Sequence, residues 1–381
     1  MTATVYLDNH ATTAVDPRVL ELMLPYFTRH VGNAASSHAY GTIAAQAVET
    51  ARGEVATAIS ADQRELVFTS GATESNNLAI KGVLRSAPAG AHVIVSAAEH
   101  RAVLDPVNRL RREGFEVSIV PVDQHAQVTP AAIEQAIRPG TALVSVMHVN
   151  NEVGTINPVT EIADVCRRHG VPFHCDAAQS LGRVELDVGR IGADLLSLSA
   201  HKAYGPKGVG ALFVRRDRRT KLEPLVHGGG HEAGLRSGTI PVPLVVGFGA
   251  AARLAQDEMQ ADVQRIGRMR DALWRRLLAD VPELVLNGHA SQRVAANLNF
   301  SVPEVDGDVL LDEITTVAIS SGSACSAASP EPSHVLQAMG RSASLARASI
   351  RCGIGRFNTA DEIEVAAESI IAAIRRARSR E

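Results

Sequence analysis

Residues 92–97 read HVIVSA and residues 141–147 read TALVSVM, and both runs are apolar along almost their whole length. Apolar residues recur with helical spacing over residues 101–113, 130–137 and 158–169. Further short strands are predicted over residues 66–69, 116–121, 171–175 and 193–199. Strands that alternate with helices form a mostly parallel sheet covered on both faces. The sequence therefore predicts an α/β fold, and residues 208–214 (GVGALFV) are expected to add an antiparallel strand.

The pattern changes after about residue 250. Residues 251–278 are predicted to form a long amphipathic helix that connects two domains, and residues 294–302 a strand of a smaller unit. A chain of 381 residues favours one large and one smaller domain. We expect a large α/β domain over residues 13–255 and a small α+β domain made of residues 1–12 and 256–381.

Composition excludes several classes of protein. The formal net charge is -3, so no direct nucleic-acid partner is expected. No membrane span or targeting segment is recognisable. The four cysteines form no CxxC pair, which argues against a disulfide framework and against a structural metal site. A cytoplasmic protein without a bound metal is therefore expected; its cysteines are Cys166, Cys175, Cys325 and Cys352.

A glycine-containing turn at residues 70–77 (SGATESNN) follows the predicted strand at residues 66–69 and leads into a helix. The backbone amides at a helix N-terminus bind anions, so these amides and the Thr73 hydroxyl are predicted to hold a phosphate. Taken alone, such a turn is more typical of a plain helix cap.

Polar side chains follow four other predicted strands. In an open α/β sheet, ligands bind beyond the carboxyl ends of the strands, where such side chains come together. Each of them alone has an ordinary explanation as a cap or a surface residue, but four in succession indicate a shared site. In chain order they are His100, Asn151, Asp176 and Lys202.

This combination indicates pyridoxal phosphate chemistry. The cofactor needs a lysine for a Schiff base, a carboxylate at its pyridine nitrogen and a phosphate site. The chain contains only four lysines. Lys81 falls inside a helix, Lys207 in a glycine-rich turn and Lys221 in a charged run. Lys202, directly after an apolar strand, is therefore the predicted Schiff-base lysine, and Asp176 the predicted partner of the pyridine nitrogen.

The motifs of this chain resemble those of the group I cysteine desulfurases, which belong to the class V aminotransferase family. The resemblance runs from residue 6 to residue 357. A cysteine on a long loop, at residues 320–325, distinguishes group I from group II. The motifs lie at residues 69–77 (TSGATESNN), 148–154 (HVNNEVG), 174–179 (HCDAAQ), 199–208 (SAHKAYGPKG), 236–239 (RSGT) and 320–325 (SSGSAC).

The resemblance implies a fold type I architecture, with a mostly parallel seven-stranded sheet in the large domain. It also assigns cofactor contacts by position. His100 stacks on the cofactor ring and Lys202 binds it covalently. The phosphate contacts are Ala72, Thr73, Ser199, His201 and, from the neighbouring subunit of a homodimer, Thr239. The remaining ring contacts are Asn151, Asp176 and Gln179.

The implied reaction converts L-cysteine to L-alanine and leaves the sulfur on Cys325 as a persulfide. Arg351 would bind the substrate carboxylate with Asn151 nearby, a task that suits a bidentate guanidinium. Lys202, His100 and Cys325 form the expected catalytic set. The sulfur would pass to an acceptor protein of iron–sulfur assembly, tRNA thiolation or DNA phosphorothioation, and the sequence does not say which.

Several points stay open at this level. Either His100 or the substrate deprotonates Cys325. A selenocysteine lyase, another elimination or a transaminase uses the same scaffold, and so does a catalytically silent partner of sulfur transfer. Cys166 is expected to be inert on its helix, and Cys175 to face into the fold. Cys352 adjoins Arg351 and is the rival acceptor thiol.

Overall fold

The computed structural model describes residues 4–216, 220–321 and 332–380. Its strands are β1 (Val5–Tyr6), β2 (Leu66–Thr69), β3 (His92–Ser96), β4 (Glu116–Val120), β5 (Thr141–Met147), β6 (Phe173–Asp176), β7 (Leu195–Ser199), β8 (Gly210–Val214), β9 (Val285–Asn287), β10 (Asn297–Ser301), β11 (Val317–Ala318), β12 (Ser320–Ser321) and β13 (Ser349–Gly353).

The α-helices are α1 (Pro17–Met23), α2 (Pro25–Thr28), α3 (Ala39–Ala58), α4 (Ala72–Ser86), α5 (Arg101–Arg112), α6 (Pro130–Ala136), α7 (Val159–Arg168), α8 (Val188–Ile191), α9 (Val242–Asp280), α10 (Gly307–Asp312), α11 (His334–Ala338), α12 (Ala343–Arg347) and α13 (Ala360–Arg378). Short 3-10 turns lie at Gln63–Glu65, Ala200–Lys202 and Glu232–Gly234.

Seven strands form the central sheet, in the order β2-β8-β7-β6-β5-β3-β4. The five strands from β7 to β4 are parallel to one another. The predicted mostly parallel α/β sheet is confirmed. The predicted antiparallel strand is confirmed as β8, which runs antiparallel to both of its neighbours, β2 and β7.

The direction of β8 decides where β2 ends. Because β8 is antiparallel to both neighbours, β2 runs the same way as β7. Thr69 and Ser199, the last residues of these two strands, both pair with Gly210. The turn after β2 therefore opens at the same edge of the sheet as the polar residues that follow β3, β5, β6 and β7.

The sheet is apolar because helices cover both of its faces. Every residue of β2, β3, β6 and β7 is buried. Strands covered on both faces lose the alternation of polar and apolar residues, which explains their continuous apolar runs in the sequence.

A second, four-stranded sheet has the order β12-β13-β10-β9 and packs into a separate apolar core. Strand β1 pairs in parallel with β11, so the N-terminal strand lies with the C-terminal part of the chain. Helix α9 contributes Val245 and Phe248 to the core of the large sheet and Leu273 and Leu277 to the second core. Both features support the predicted domain limits, which remain a prediction.

Helix α9 begins at Val242, nine residues before the predicted helix at residues 251–278. Its first turns are buried almost all round, from Val245 through Phe248 to Ala252. A helix buried on every side has no polar face, so its 3.6-residue period is hidden in the sequence. None of the helices in the described ranges is long and apolar enough to cross a membrane.

Candidate active site

A cavity of about 530 Å³ opens at the carboxyl ends of the parallel strands. Its size is typical of small-molecule sites. Ten of the predicted site residues line it: Ala72, Thr73, His100, Asn151, Asp176, Gln179, Ser199, His201, Lys202 and Arg351.

One end of this cavity is suited to a phosphate. Helix α4 begins after Gly71, whose φ of 150° favours glycine, and within the described chain no side chain caps its N-terminus. The first backbone amides of a helix have no partner inside the helix. The buried Ser199 hydroxyl, which has no hydrogen-bond partner among the described residues, lies close to Gly71. This end of the cavity therefore presents donors that are not engaged by the protein.

The same cavity contains a fixed carboxylate. Asp176 is the last residue of β6 and is buried. Its Oδ2 accepts a hydrogen bond of 2.7 Å from Asn76 Nδ2, and its Oδ1 accepts one of 3.0 Å from the Ala178 amide. A carboxylate has about four lone-pair sites, so Asp176 retains capacity for a further donor such as a pyridinium N–H.

Lys202 closes the short turn after β7 and lines the same cavity. Its Nζ donates to the carbonyls of His10 and Ala11, at 2.8 and 2.7 Å. These contacts hold the amine of Lys202 against the segment that precedes α1. Of the four lysines, Lys207 also lines the cavity, so position alone does not exclude it.

Arg351 is a fully buried cation on β13. Its Nη2 donates to Asp8 Oδ1 at 2.8 Å and its Nη1 to the carbonyl of Asn151 at 3.1 Å. Its Nε and the Oδ1 of Asn151 have no partner among the described residues. A guanidinium has five N–H donors, so Arg351 can still bind a carboxylate.

The tautomer of His100 follows from its contacts. His100 caps α5, and its Nδ1 accepts a hydrogen bond of 3.0 Å from the Ala102 amide. An N–H that donates to Nδ1 leaves the proton of the neutral ring on Nε2. In this tautomer His100 can donate a proton through Nε2 but cannot accept one there.

Gln179 and His201 complete the wall of the cavity. Gln179 Nε2 donates to the His10 carbonyl at 2.9 Å, and its Oε1 accepts from Arg183. His201 Nδ1 lies 3.1 Å from Thr12 Oγ1, and burial lowers its pKa to about 4. The imidazole of His201 is therefore neutral near pH 7.

One of the described residues that were predicted is not brought to this cavity. Thr239 is exposed and does not line it within one chain. Cys325 lies outside the described residues. The structure also adds residues that the sequence reasoning missed: His10, Asn76 and Lys207 line the cavity. Asn76 and Lys207 belong to recognised motifs and His10 lies within the stretch of family resemblance, but their residue types alone do not indicate a role.

The other three cysteines are buried. Burial raises the pKa of Cys166 and of Cys352 to about 12, and it raises the pKa of Cys175 well above the ordinary value. A thiol that stays protonated is a poor nucleophile. The expectation that Cys175 faces into the fold is confirmed, and the environment of Cys352 disfavours it as an acceptor.

Taken together, these groups fit pyridoxal phosphate, because uncapped amides, an unpartnered hydroxyl, a buried carboxylate and a lysine line one cavity. The class defined by this fold and site is a fold type I enzyme. Comparison with known proteins agrees, because the model of the aminotransferase class V family matches residues 5–365. The chain belongs to this family, whose enzymes depend on pyridoxal phosphate.

Individual relatives are more specific. The chain is 52% identical over 364 residues to the cysteine desulfurase IscS of Anaeromyxobacter dehalogenans (strain 2CP-C), covering 95% of this chain and 90% of that protein. The structure of a NifS-like protein matches with a TM-score of 0.91 at 33% identity, covering 98% and 99% of the two chains. The structure of SspA in complex with cysteine matches with a TM-score of 0.83 at 37% identity, over 93% and 100%.

Proposed function

We propose that this protein is a cysteine desulfurase, which converts L-cysteine to L-alanine and passes the sulfur to Cys325. The observation that carries the proposal is a single cavity lined by Lys202, Asp176 and Arg351. These residues supply an amine, a carboxylate and a cation that can bind a carboxylate. Relatives half identical to the chain bear this name, and SspA, similar in fold and sequence, binds cysteine.

Pyridoxal phosphate, when bound, withdraws electrons from the Cα of an attached amino acid and so makes its proton and its sulfur labile. The chain supplies the remaining functions. Asp176 keeps the pyridine nitrogen protonated, and Asn76 fixes the orientation of that carboxylate. Arg351 binds the substrate carboxylate, with Asn151 beside it. The Lys202 amine moves the Cα proton.

The sulfur step needs a thiolate. Cys325 attacks the substrate sulfur, the electrons of the broken C–S bond return to the substrate carbon, and protonation of that carbon leads to alanine. His100, with its proton on Nε2, is suited to donate a proton in this step. The substrate, in its thiolate form, is then the better candidate for the base that takes the proton of Cys325, because His100 cannot accept one through Nε2 in this tautomer.

The proposed homodimer is supported by large apolar side chains that are exposed in two parts of the chain. Large apolar side chains are exposed along residues 20–43, and Val226 is exposed in the segment that leads to Thr239. Large apolar side chains exposed in this number favour a protein interface. The exposed side chains are Leu20, Leu22, Leu24, Phe27, Val31, Tyr40, Ile43 and Val226.

We expect a holoenzyme of twice the chain mass in light scattering, in which Thr239 of one protomer serves the phosphate of the other. Leu24→Glu with Phe27→Glu should produce monomers, because buried charges oppose association. Exchange of two surface arginines, Arg109→Glu and Arg275→Glu, is the control and should leave the mass unchanged. A fully active monomer would contradict the shared site.

The acceptor of the sulfur and the cell compartment belong to the same proposal. A persulfide is useful only if another protein collects it, so we propose an acceptor protein of iron–sulfur assembly, tRNA thiolation or DNA phosphorothioation. A reducing, cytoplasmic location suits a chain whose three described cysteines are all free thiols.

The test of the function is the fate of sulfur. Wild-type holoenzyme exposed briefly to L-cysteine should gain about 32 Da on Cys325 in mass spectrometry, with release of alanine. Cys325→Ser should keep the visible absorption of the bound cofactor and its change on addition of cysteine, but gain no sulfur, because a hydroxyl is a poor sulfur acceptor.

Two variants complete this experiment. Lys202→Ala should lose both the visible absorption and alanine formation, whereas Cys166→Ala, a change in the core of the large sheet, should retain the persulfide. Sulfur found on Cys352, or persisting in Cys325→Ser, would reject the assigned acceptor. Pyruvate and ammonia in place of alanine would reject the reaction and favour an elimination.

A further inference from the structure

Ser333 lies eight residues after Cys325 in the sequence, and its side chain is bonded to a residue next to the active site. It is buried, and its hydroxyl donates a hydrogen bond to Glu152 Oε2. The same hydroxyl accepts one of 3.1 Å from the Leu336 amide and so caps α11. The next residue, His334, donates through Nε2 to the carbonyl of Glu99 at 2.9 Å. The chain is therefore fixed to the ends of β5 and β3 eight residues after Cys325.

Apolar packing supports this anchor. Val335, Leu336 and Met339, in and just after α11, are buried in one cluster with Ala98 and Val153. Ala98 follows β3 and Val153 follows β5, so α11 rests on the strand ends that carry His100 and Asn151. The position of this helix is thereby tied to the cofactor and substrate groups.

Glu152 connects the anchor with the substrate site. It is buried and directly follows Asn151, whose carbonyl accepts from Arg351. Its own carbonyl accepts from Asn297 and Asn299 of β10, each at 3.0 Å. The backbone at residues 151–152 therefore contacts two strands of the second sheet, β13 through Arg351, which is proposed to bind the substrate, and β10 through Asn297 and Asn299.

A buried carboxyl at this place is costly, because burial disfavours its charged form. Burial raises the pKa of Glu152 to about 7, while Ser333, Arg351, His100 and Arg101 act in the opposite direction. Glu152 does not line the cavity and has no role in the proposed chemistry. Among the described residues, the only hydrogen bond made by its side chain is the one from the hydroxyl of Ser333.

We propose that Glu152 and Ser333 are positioning residues for the sulfur step. Their hydrogen bond fixes the chain at Ser333, eight residues after Cys325, relative to Asn151 and Arg351, which are proposed to bind the substrate. The inference rests on the proposed desulfurase function. Proton transfer at the substrate Cα does not involve Cys325, so loss of this hydrogen bond slows sulfur transfer and leaves proton transfer unchanged.

The first test compares two serines with the same local role. Ser333 and Ser342 each cap a five-residue helix, α11 and α12, but only Ser333 donates to Glu152. In holoenzyme Ser333→Ala, alanine formation from saturating L-cysteine should fall about ten-fold with unchanged KM. Exchange of the α-proton of L-alanine in D2O, followed by NMR, should keep its wild-type rate. Ser342→Ala should match wild type in both assays.

A second pair of variants addresses the carboxyl. The amide oxygen of Glu152→Gln can accept the same hydrogen bond, so this variant should retain most of the desulfuration rate. Glu152→Ala should lose about ten-fold, as Ser333→Ala does, and the double variant should lose no more than either single change, because both remove the same contact.

The outcomes separate the two proposals. Wild-type enzyme that exchanges the alanine proton but forms no persulfide would reject the desulfurase function itself. With active wild type, the positioning role is rejected if Ser333→Ala equals Ser342→Ala, or if proton exchange falls as far as desulfuration. If Glu152→Ala does not fold, Ser333→Ala and Glu152→Gln still test the positioning role.

Discussion

Buried polar side chains behave differently at the carboxyl edge of the large sheet and in the second sheet. At the edge, Ser199 Oγ and Asn151 Oδ1 have no partner among the described residues, and the same holds for the Nε of Arg351, which lines the same cavity from β13. In the second sheet, Asn287 Nδ2 donates to both Asn299 Oδ1 and Ser301 Oγ, each at 2.9 Å. Both sets of groups are polar and buried, but only the asparagine and serine groups of β9 and β10 are paired within the protein.

This difference distinguishes polar groups that bind a ligand from polar groups that stabilise the fold. Native proteins pair nearly all buried polar groups, since an unpaired one costs free energy. Several unpaired groups around one cavity therefore indicate a ligand that completes them. The paired asparagines of β9 and β10 need no ligand, and their role is to fix the second sheet and, through Asn297 and Asn299, the backbone at Glu152.

The sharpest way to break this comparison is to delete one group from each region. Asn287→Ala should lower the free energy of unfolding by about 1–3 kcal/mol, because it strips the donor from two buried acceptors. Ser199→Ala should hardly change the stability of the apoprotein but weaken pyridoxal phosphate binding roughly 10–100-fold, as expected for a lost hydrogen bond to a charged group.

Urea unfolding of the apoprotein and titration with the cofactor measure both variants. Asn287→Ala should bind the cofactor as wild type does. The comparison fails if Ser199→Ala destabilises the apoprotein as much as Asn287→Ala, or if the two variants weaken cofactor binding equally.

Glu99, a carboxyl at the same edge, is expected to make stability depend on pH. Burial raises its pKa from 4.5 to about 8, with the charge of Asp176 acting in the same direction. Between these values the unfolded chain has released the proton and the folded chain retains it. Stability must then fall as the pH rises, by up to about 1.4 kcal/mol per pH unit.

Glu99→Gln removes this proton equilibrium and keeps an acceptor for the Met147 amide. Its stability relative to wild type should therefore increase steadily from pH 5 to pH 8 in thermal unfolding of the apoprotein. A constant difference between the two proteins across that range would mean that Glu99 is ionised in the folded state.

Much of this site was predictable because parallel strands place their carboxyl ends together. Asp176 and Lys202 were predicted because each comes at the end of a strand, and Lys202 also because the chain has only four lysines. Both line the cavity. Asn76 and Glu152 were not predictable, because their partners, Asp176 and Ser333, lie 100 and 181 residues away in the chain. Contacts at such separations leave no local pattern in the sequence.

Helix α4 contributes to two parts of the proposed cofactor site. Its uncapped first turn, at Ala72 and Thr73, faces the phosphate end, and Asn76, one turn later, holds Asp176. The spacing between the anion site and the carboxylate is therefore set by a single stretch of helix. One inserted residue between them would rotate Asn76 by about 100°. Residues in this turn can thus be substituted, but the turn cannot be lengthened without losing either the phosphate site or the contact between Asn76 and Asp176.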